Sequence, residues 1–209
     1  MILQLQGIPR LHVVPSSEWQ RVHSADYSAL SFNPSEKSNA RFSPFADGRG
    51  LVVPSLYAGS SVMAALMETV FHEIPVPSSG TVLLERNVAE RKWSITTVAN
   101  TQALNLVDLT TVGLRRIGLT RSEVIDTTSA KYPSTQSLAR YLHEQFPDAH
   151  GIRWVSRLYD EGTCIVLYAN RIKRGTLVQV SPTTDVLEGD TLTRILDLVD
   201  HLGMRYIPR

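Results

Sequence analysis

An α+β fold in a single mixed domain is what this sequence predicts, on three observations. Runs rich in Val, Ile, Thr and Leu, the side chains that suit strands, outnumber the amphipathic helical stretches. Those helical stretches do not alternate regularly with the strand-like runs, which disfavours a doubly wound parallel sheet. The length of 209 residues suits one domain over 1–209, undivided by repeats or low-complexity tracts. The Pro/Ser-rich pieces "NPSEKSNARFSPF" and "PVPSSG" are too short to be linkers.

In chain order, "LHVV" and "GLVVPSLYA" read as strands. Gly59-Ser60-Ser61 then turns the chain into a helix with Ser60 as N-cap, because Val62, Met63, Leu66, Val70 and Phe71 recur at helical spacing. "TVLLERNV", "WSITTV" and "LNLVDL" return to strand character. Thr120-Arg121-Ser122-Glu123 has capping-box spacing ahead of Val124 and Ile125, which predicts a short helix. A longer helix runs from about Ser134 to Phe146, striped by Leu138, Tyr141, Leu142 and Phe146 and stopped by Pro147. Gly151 to Ser156 and Thr163 to Tyr168 form a hairpin about Asp160-Glu161-Gly162, and "TLVQV" is a further strand. The tail, 181–209, ends in a helix after Asp190 with Leu192, Ile195, Leu196, Val199 and Leu202 in register and Gly203 at C′. That apolar stripe favours packing in the core over docking a partner.

Hydrophobic residues make up 43% and charged residues 20%, the balance of an ordinary globular protein. A net charge of +1 supplies no global field for nucleic acid or an anionic membrane, so direct binding to either is not expected. Cys164 is the only cysteine and sits in the apolar run "TCIVLY", where a thiol acts as a small hydrophobe. With no basic leader and no run near the ~20 apolar residues that span a bilayer, a reducing cytoplasm is the expected location. Neither H-E-x-x-H nor paired C-x-x-C occurs, so no metal is implied, and no G-x-G-x-x-G follows a strand.

Several residues are candidates for chemistry. On the first helix Glu68 falls opposite the apolar fan, on a half with Ala64, Ala65 and His72. A solvated face explains the acid, but alanine neighbours also allow another backbone or a ligand to come close, which would make Glu68 the wall of a cleft. Arg41 sits in an irregular loop, either solvated or presented to an anion. Tyr57 ends a strand and is either core or cavity wall. Ser156 shares a strand face with Ile152 and Trp154, with Arg153, Val155 and Arg157 on the other. His72, at the expected helix end, reads as a partner of the helix dipole more readily than as an acid or base.

Taken in order, Arg41-Phe42, then Leu56-Tyr57-Ala58 with Ala64-Ala65-Leu66-Met67-Glu68, then Gly151-Ile152-Arg153-Trp154-Val155-Ser156-Arg157, the chain resembles the RES-domain toxins over roughly residues 20–180. The resemblance implies a fold like the diphtheria-toxin class of ADP-ribosyltransferases and a catalytic set of Arg41, Glu68 and Ser156. It makes Arg41, Phe42, Tyr57 and Ser156 the substrate contacts. NAD⁺ would be a consumed substrate rather than a cofactor, cleaved at the nicotinamide–ribose bond by water or by inorganic phosphate as co-substrate. A helix-turn-helix antitoxin of the Xre type is the implied partner, and a homodimer is the family expectation. Where the family often has tyrosine after the arginine this chain has Phe42, which preserves stacking but not a hydroxyl. Two alternatives stand beside this reading: a mono-ADP-ribosyltransferase acting on a protein, and a non-enzymatic interaction protein on the same fold.

Overall fold

The computed structural model describes residues 9–75 and 80–209, so residues 76–79 of the "PVPSSG" piece and the first eight residues of the chain lie outside the described residues. The strands are β1 (Arg10–Val13), β2 (Glu18–Ser24), β3 (Ser55–Gly59), β4 (Val82–Leu84), β5 (Trp93–Asn100), β6 (Leu104–Asp108), β7 (Gly151–Val155), β8 (Thr163–Tyr168), β9 (Leu177–Gln179), β10 (Thr184–Asp185) and β11 (Arg205–Ile207). The helices are α1 (Val62–Met67), α2 (Glu85–Glu90), α3 (Thr111–Arg116), α4 (Arg121–Val124), α5 (Tyr132–Gln145) and α6 (Gly189–His201). This is the mixed single domain the pattern predicts.

One sheet runs β1-β6-β7-β8-β3-β2-β5-β10, with β9 also on β5, and β11 pairs separately with β4. β6 and β7 are parallel because α3, α4 and α5 lie in the crossover between them, whereas the short turn from β7 to β8 makes an antiparallel hairpin. The seam that matters is β2–β3. β2 pairs with β5 along its whole length, from Glu18↔Ala99 to Ser24↔Trp93, but meets β3 only at Gln20↔Gly59. The sheet therefore opens between β2 and β3, and the loop carrying Arg41 occupies that side.

Alternate residues of each strand feed opposite faces. Cys164, Val166 and Tyr168 of β8 join a core with Leu114, Ile125 and Leu142 from α3–α5, whereas Ile165 and Leu167 join one with Trp19, Leu104 and Val98. A third cluster ties Leu66 and Met67 of α1 to Ile195, Leu198 and Val199 of α6. The terminal helix thus packs in the core, with Leu198 taking the inward place predicted for Leu196, which is 40% exposed.

Other differences have local causes. β2 escapes the sequence pattern because its inward residues are Trp19, Arg21 and His23, two of them polar. "TVLLERNV" divides into β4 and α2. α3 is hidden by its Gly113, where a Cβ would lie 1.8 Å from the Asp108 carbonyl oxygen. α1 is shorter than predicted and is capped by Ser61, whose Oγ accepts from the Ala64 N–H at 3.2 Å. It stops at Met67 because the Leu66 carbonyl accepts from Thr69, Val70 and Phe71, which winds the chain into a tight turn. Its alanines are buried, not outward: a Cβ on Gly59 would lie 2.8 Å from Ala65 N, and one on Gly162 would lie 2.5 Å from the Ala64 Cβ. Small residues here let two strand ends approach the helix backbone. Among the described residues no helix is long and apolar enough to cross a membrane.

Candidate active site

Glu68 is the C-cap of α1, so its side chain leaves the helix where the backbone turns, at the open seam of the sheet. Its Oε1 accepts from Ser156 Oγ at 2.6 Å and from the Arg157 backbone N–H at 2.7 Å. Ser156 is completely buried, and its Oγ accepts in turn from the N–H groups of Leu158 (3.1 Å) and Tyr159 (3.0 Å). One donor and two acceptor sites are all a hydroxyl has, and all three are used. Ser156 therefore fixes the acid and has nothing left for a substrate. Among the described residues no protein donor bonds Glu68 Oε2, and Glu68 lines a cavity.

A positioning residue that sequence reasoning missed stands behind this pair. Arg121, the first residue of α4, donates through Nη2 to the Ser156 carbonyl at 2.7 Å, while its Nε pairs with Asp126 at 3.0 Å. The same peptide unit presents its carbonyl to a guanidinium and its N–H to the Glu68 carboxylate. Hydrogen bonds at both ends polarise that peptide in one sense, so the cation supports the anion at one remove.

The cavity, of about 200 Å³, is lined by Arg41, Tyr57, Glu68, His72, Tyr132 and Trp154 among others. Arg41 is only 4% exposed. Its Nη1 donates to the Val124 carbonyl (3.0 Å) and to Thr127 Oγ1 (2.6 Å), and its Cζ lies 5.1 Å from the centre of the Tyr132 ring. Burial lowers its pKa, opposed by Tyr132 and Glu68 nearby. Arg41 Nη2 is buried with no partner, and so is Trp154 Nε1. Both residues line the cavity, and two unsatisfied donors on them are unusual, since nearly all buried N–H groups are paired.

Tyr57 lines the same cavity, its hydroxyl accepting from the Phe42 N–H at 3.0 Å and lying 3.2 Å from Ser43 Oγ. Burial pushes its pKa up to about 12, so the phenol stays neutral. Phe42 requires a correction. Its ring is fully buried and packs edge-on against Trp154 at 5.0 Å, so it cannot stack on a ligand; it supports the wall from behind. His72 also departs from expectation, because α1 ends well before it and no helix dipole reaches it. Instead Nε2 bonds Tyr132 Oη at 2.9 Å and Nδ1 bonds Glu73 Oε1 at 2.7 Å.

The structure thus brings Arg41, Tyr57 and Glu68 to one cavity, places Ser156 one contact behind Glu68, and removes Phe42. It adds Trp154, Tyr132 and Arg121. Trp154 shares a strand face with Ser156, a signal that was available; Tyr132 and Arg121 act across long sequence separations and leave no local pattern. Cys164 is buried beside the cavity, its thiol pKa pushed well up by burial. Among the described residues no group of three His, Cys, Asp or Glu side chains could hold a metal ion.

Comparison with known proteins places this geometry. The RES domain family matches residues 18–188, which include every residue of the site described above. Among solved structures, a chain of the M. tuberculosis MbcT–MbcA toxin–antitoxin complex is similar at a TM-score of 0.62 and 20% identity, over 90% of this chain and 92% of that one. At that identity the likeness is one of fold. No curated protein matches the chain.

Proposed function

The chain belongs to the RES domain family, and from that premise we propose that it is the toxin of a toxin–antitoxin pair and depletes NAD⁺ by cleaving the nicotinamide–ribose bond. The observation that carries the reading is the Glu68 carboxylate, fixed through one oxygen by Ser156 and Arg157 and offering the other to a cavity with two unpartnered donors.

Nicotinamide leaves as a neutral base: the C1′–N bond breaks, its electron pair neutralises the pyridinium, and positive charge moves onto the ribose. No general acid is needed for that departure. What the transition state needs is a fixed negative charge beside an oxocarbenium-like sugar, as in glycoside hydrolysis. Glu68 Oε2 supplies it, held in place before the reaction, so little reorganisation is required when charge develops. Arg41 Nη2 and Trp154 Nε1 bind ligand oxygens, and the Tyr57 ring supports the departing base. Water or inorganic phosphate then adds to C1′ through oxygen, and the proton that water loses passes to Glu68 or solvent. Arg41 and Tyr57 are thus substrate contacts, Glu68 the catalytic carboxylate, and Ser156 a positioning residue.

As part of this proposal the fold is kin to that of the ADP-ribosyltransferases, as the sequence resemblance implies. The partner is an antitoxin whose binding covers the cavity; the structurally similar chain comes from a toxin–antitoxin complex.

The test is NAD⁺ consumption by purified protein with and without phosphate, beside Glu68→Gln. Loss of consumption in a variant that unfolds at the same temperature supports the mechanism. A folded wild-type protein that leaves NAD⁺ intact refutes it, and label transferred to a protein without free ADP-ribose products replaces it with protein modification.

A further inference from the structure

The site cavity is smaller than the ~300–1,000 Å³ typical of small-molecule sites, and at about 200 Å³ it has room for only the nicotinamide–ribose half of a dinucleotide. Two larger cavities flank it. One, of about 520 Å³, shares Val22 and Tyr57 with it; the other, of about 460 Å³, shares His72 and Tyr132, whose 2.9 Å hydrogen bond forms the bar between the two spaces.

The availability of charge separates these flanking cavities. In the first, the buried cation is Arg21, already committed through Nη1 to the Ala29 carbonyl and through Nη2 to the Ser31 carbonyl. In the second, Arg157 lines the space with no hydrogen-bond or ion-pair partner for its guanidinium among the described residues, and its Nε is buried and unsatisfied. Its charge is also close enough to Arg41 to disfavour that residue's protonated form, an effect that the nearby Glu68 carboxylate opposes, and Glu73, whose Oε1 is bonded to His72, also lines the space. Met67, Phe71, Leu158 and Leu202 give this cavity an apolar wall, and the hydroxyl residues Thr128 and Ser129 lie on its rim.

We propose that the cavity beyond the His72–Tyr132 bar receives the adenosine diphosphate half of the substrate, with the Arg157 guanidinium on the phosphates and the apolar wall against the purine. This rests on the dinucleotide reading of the site and deepens it. The diphosphate lies across the His72–Tyr132 pair. Arg157 then acts twice, its backbone N–H fixing Glu68 and its side chain gripping the phosphates, so the spacing between the acid and the diphosphate is set within one residue.

ADP is the probe, because its binding requires no cleavage. Titration calorimetry on the full chain should give an ADP affinity that falls at least ~10-fold in Arg157→Gln, consistent with loss of a charge-assisted contact, and falls less in Arg157→Lys. Leu202→Trp, which fills the apolar wall, should weaken ADP without touching the cation. Tyr27→Ala, on the other flanking cavity, should leave ADP affinity within about twofold, because that side chain is outside the proposed contact set. Inorganic phosphate should bind far more weakly than ADP. ADP affinity that survives both Arg157→Gln and Leu202→Trp, or that is lost in Tyr27→Ala, overturns the proposal. So does inorganic phosphate binding as tightly as ADP with the same dependence on Arg157, which would make this a free-phosphate site. If wild-type protein binds ADP as described but consumes no NAD⁺, the cleavage reading fails alone. If NAD⁺ is consumed with a KM unchanged by Arg157→Gln, this inference fails alone.

Discussion

The two walls of the site cavity are built on opposite terms. On the Glu68 wall the groups that hold the carboxylate are matched: Ser156 Oγ uses its full capacity, the Arg157 N–H is bonded, and the peptide between them is held by Arg121. On the Arg41 wall the match is incomplete, with Nη2 of Arg41 and Nε1 of Trp154 buried and unpartnered. The first wall is finished before any ligand arrives, and the second is finished by the ligand. A site meant to stabilise developing charge needs the fixed wall, and a site meant to recognise oxygens can leave donors waiting. The difference also predicts that substitutions on the first wall damage rate, whereas those on the second damage binding.

The largest expected effect tests the finished wall. Glu68→Gln preserves shape and the Oε1 contacts but removes the charge, so kcat for NAD⁺ loss should fall by ~10²–10³, in line with removal of a single transition-state stabiliser. Next is Ser156→Ala, which frees the carboxylate and strands the Leu158 and Tyr159 N–H groups. We expect kcat to drop by ~10-fold or more, and chemical denaturation to report a loss of about 1–3 kcal/mol from unsatisfied buried donors. If kcat falls while KM stays put, the wall acts through orientation; a rise in KM alone would break the comparison.

On the unfinished wall, Arg41→Lys keeps charge but loses the planar fork, and should raise KM by about 10-fold with a smaller change in kcat. Trp154→Phe deletes one waiting donor and should weaken ligand by a few-fold, a net hydrogen bond being worth about 0.5–1.5 kcal/mol; because the indole is buried against Phe42 and Tyr57, the smaller ring should also lower the stability of the free protein. Unfolding temperature measured with and without ADP-ribose separates these outcomes. The smallest effect concerns pH. Tyr57 has its pKa raised to about 12 by burial, so its neutral form persists through the alkaline range and activity should show no tyrosine limb below about pH 11. A wild-type rate profile that loses such a limb in Tyr57→Phe would contradict this.

Taken singly, no residue of this site was specific; the resemblance to the RES domain family is what joined them. Arg41, Tyr57, Glu68 and Ser156 come from separate stretches, and the alanines next to Glu68 signalled a close approach that the Gly59 and Gly162 contacts realise. What misled was orientation. A helical wheel extended through Phe71 assumes a helix that in fact ends at Met67, and it turned Ala64 and Ala65 away from the core they occupy. Phe42 could not be told from a cavity-facing aromatic because a loop has no periodicity to assign its ring to a face. Arg21 and His23 hid β2 by placing polar groups inward, where the pattern expects apolar ones. Arg121 and Tyr132 stayed invisible because side-chain contacts to distant backbone leave no spacing rule. The parallel join of β6 to β7 follows from three intervening helices, of which only two carried a readable signal.

The helix bearing Glu68 rests on α6, and the two are separated by most of the chain. On the ribosome, α1 emerges long before the surface it leans against exists. Until α6 docks, Leu66 and Met67 have nothing to bury against there, and the acid they help to hold has no firm footing. On the toxin reading proposed above, a growing chain stays harmless until α6 has been made, and a neutralising partner could be supplied in that interval.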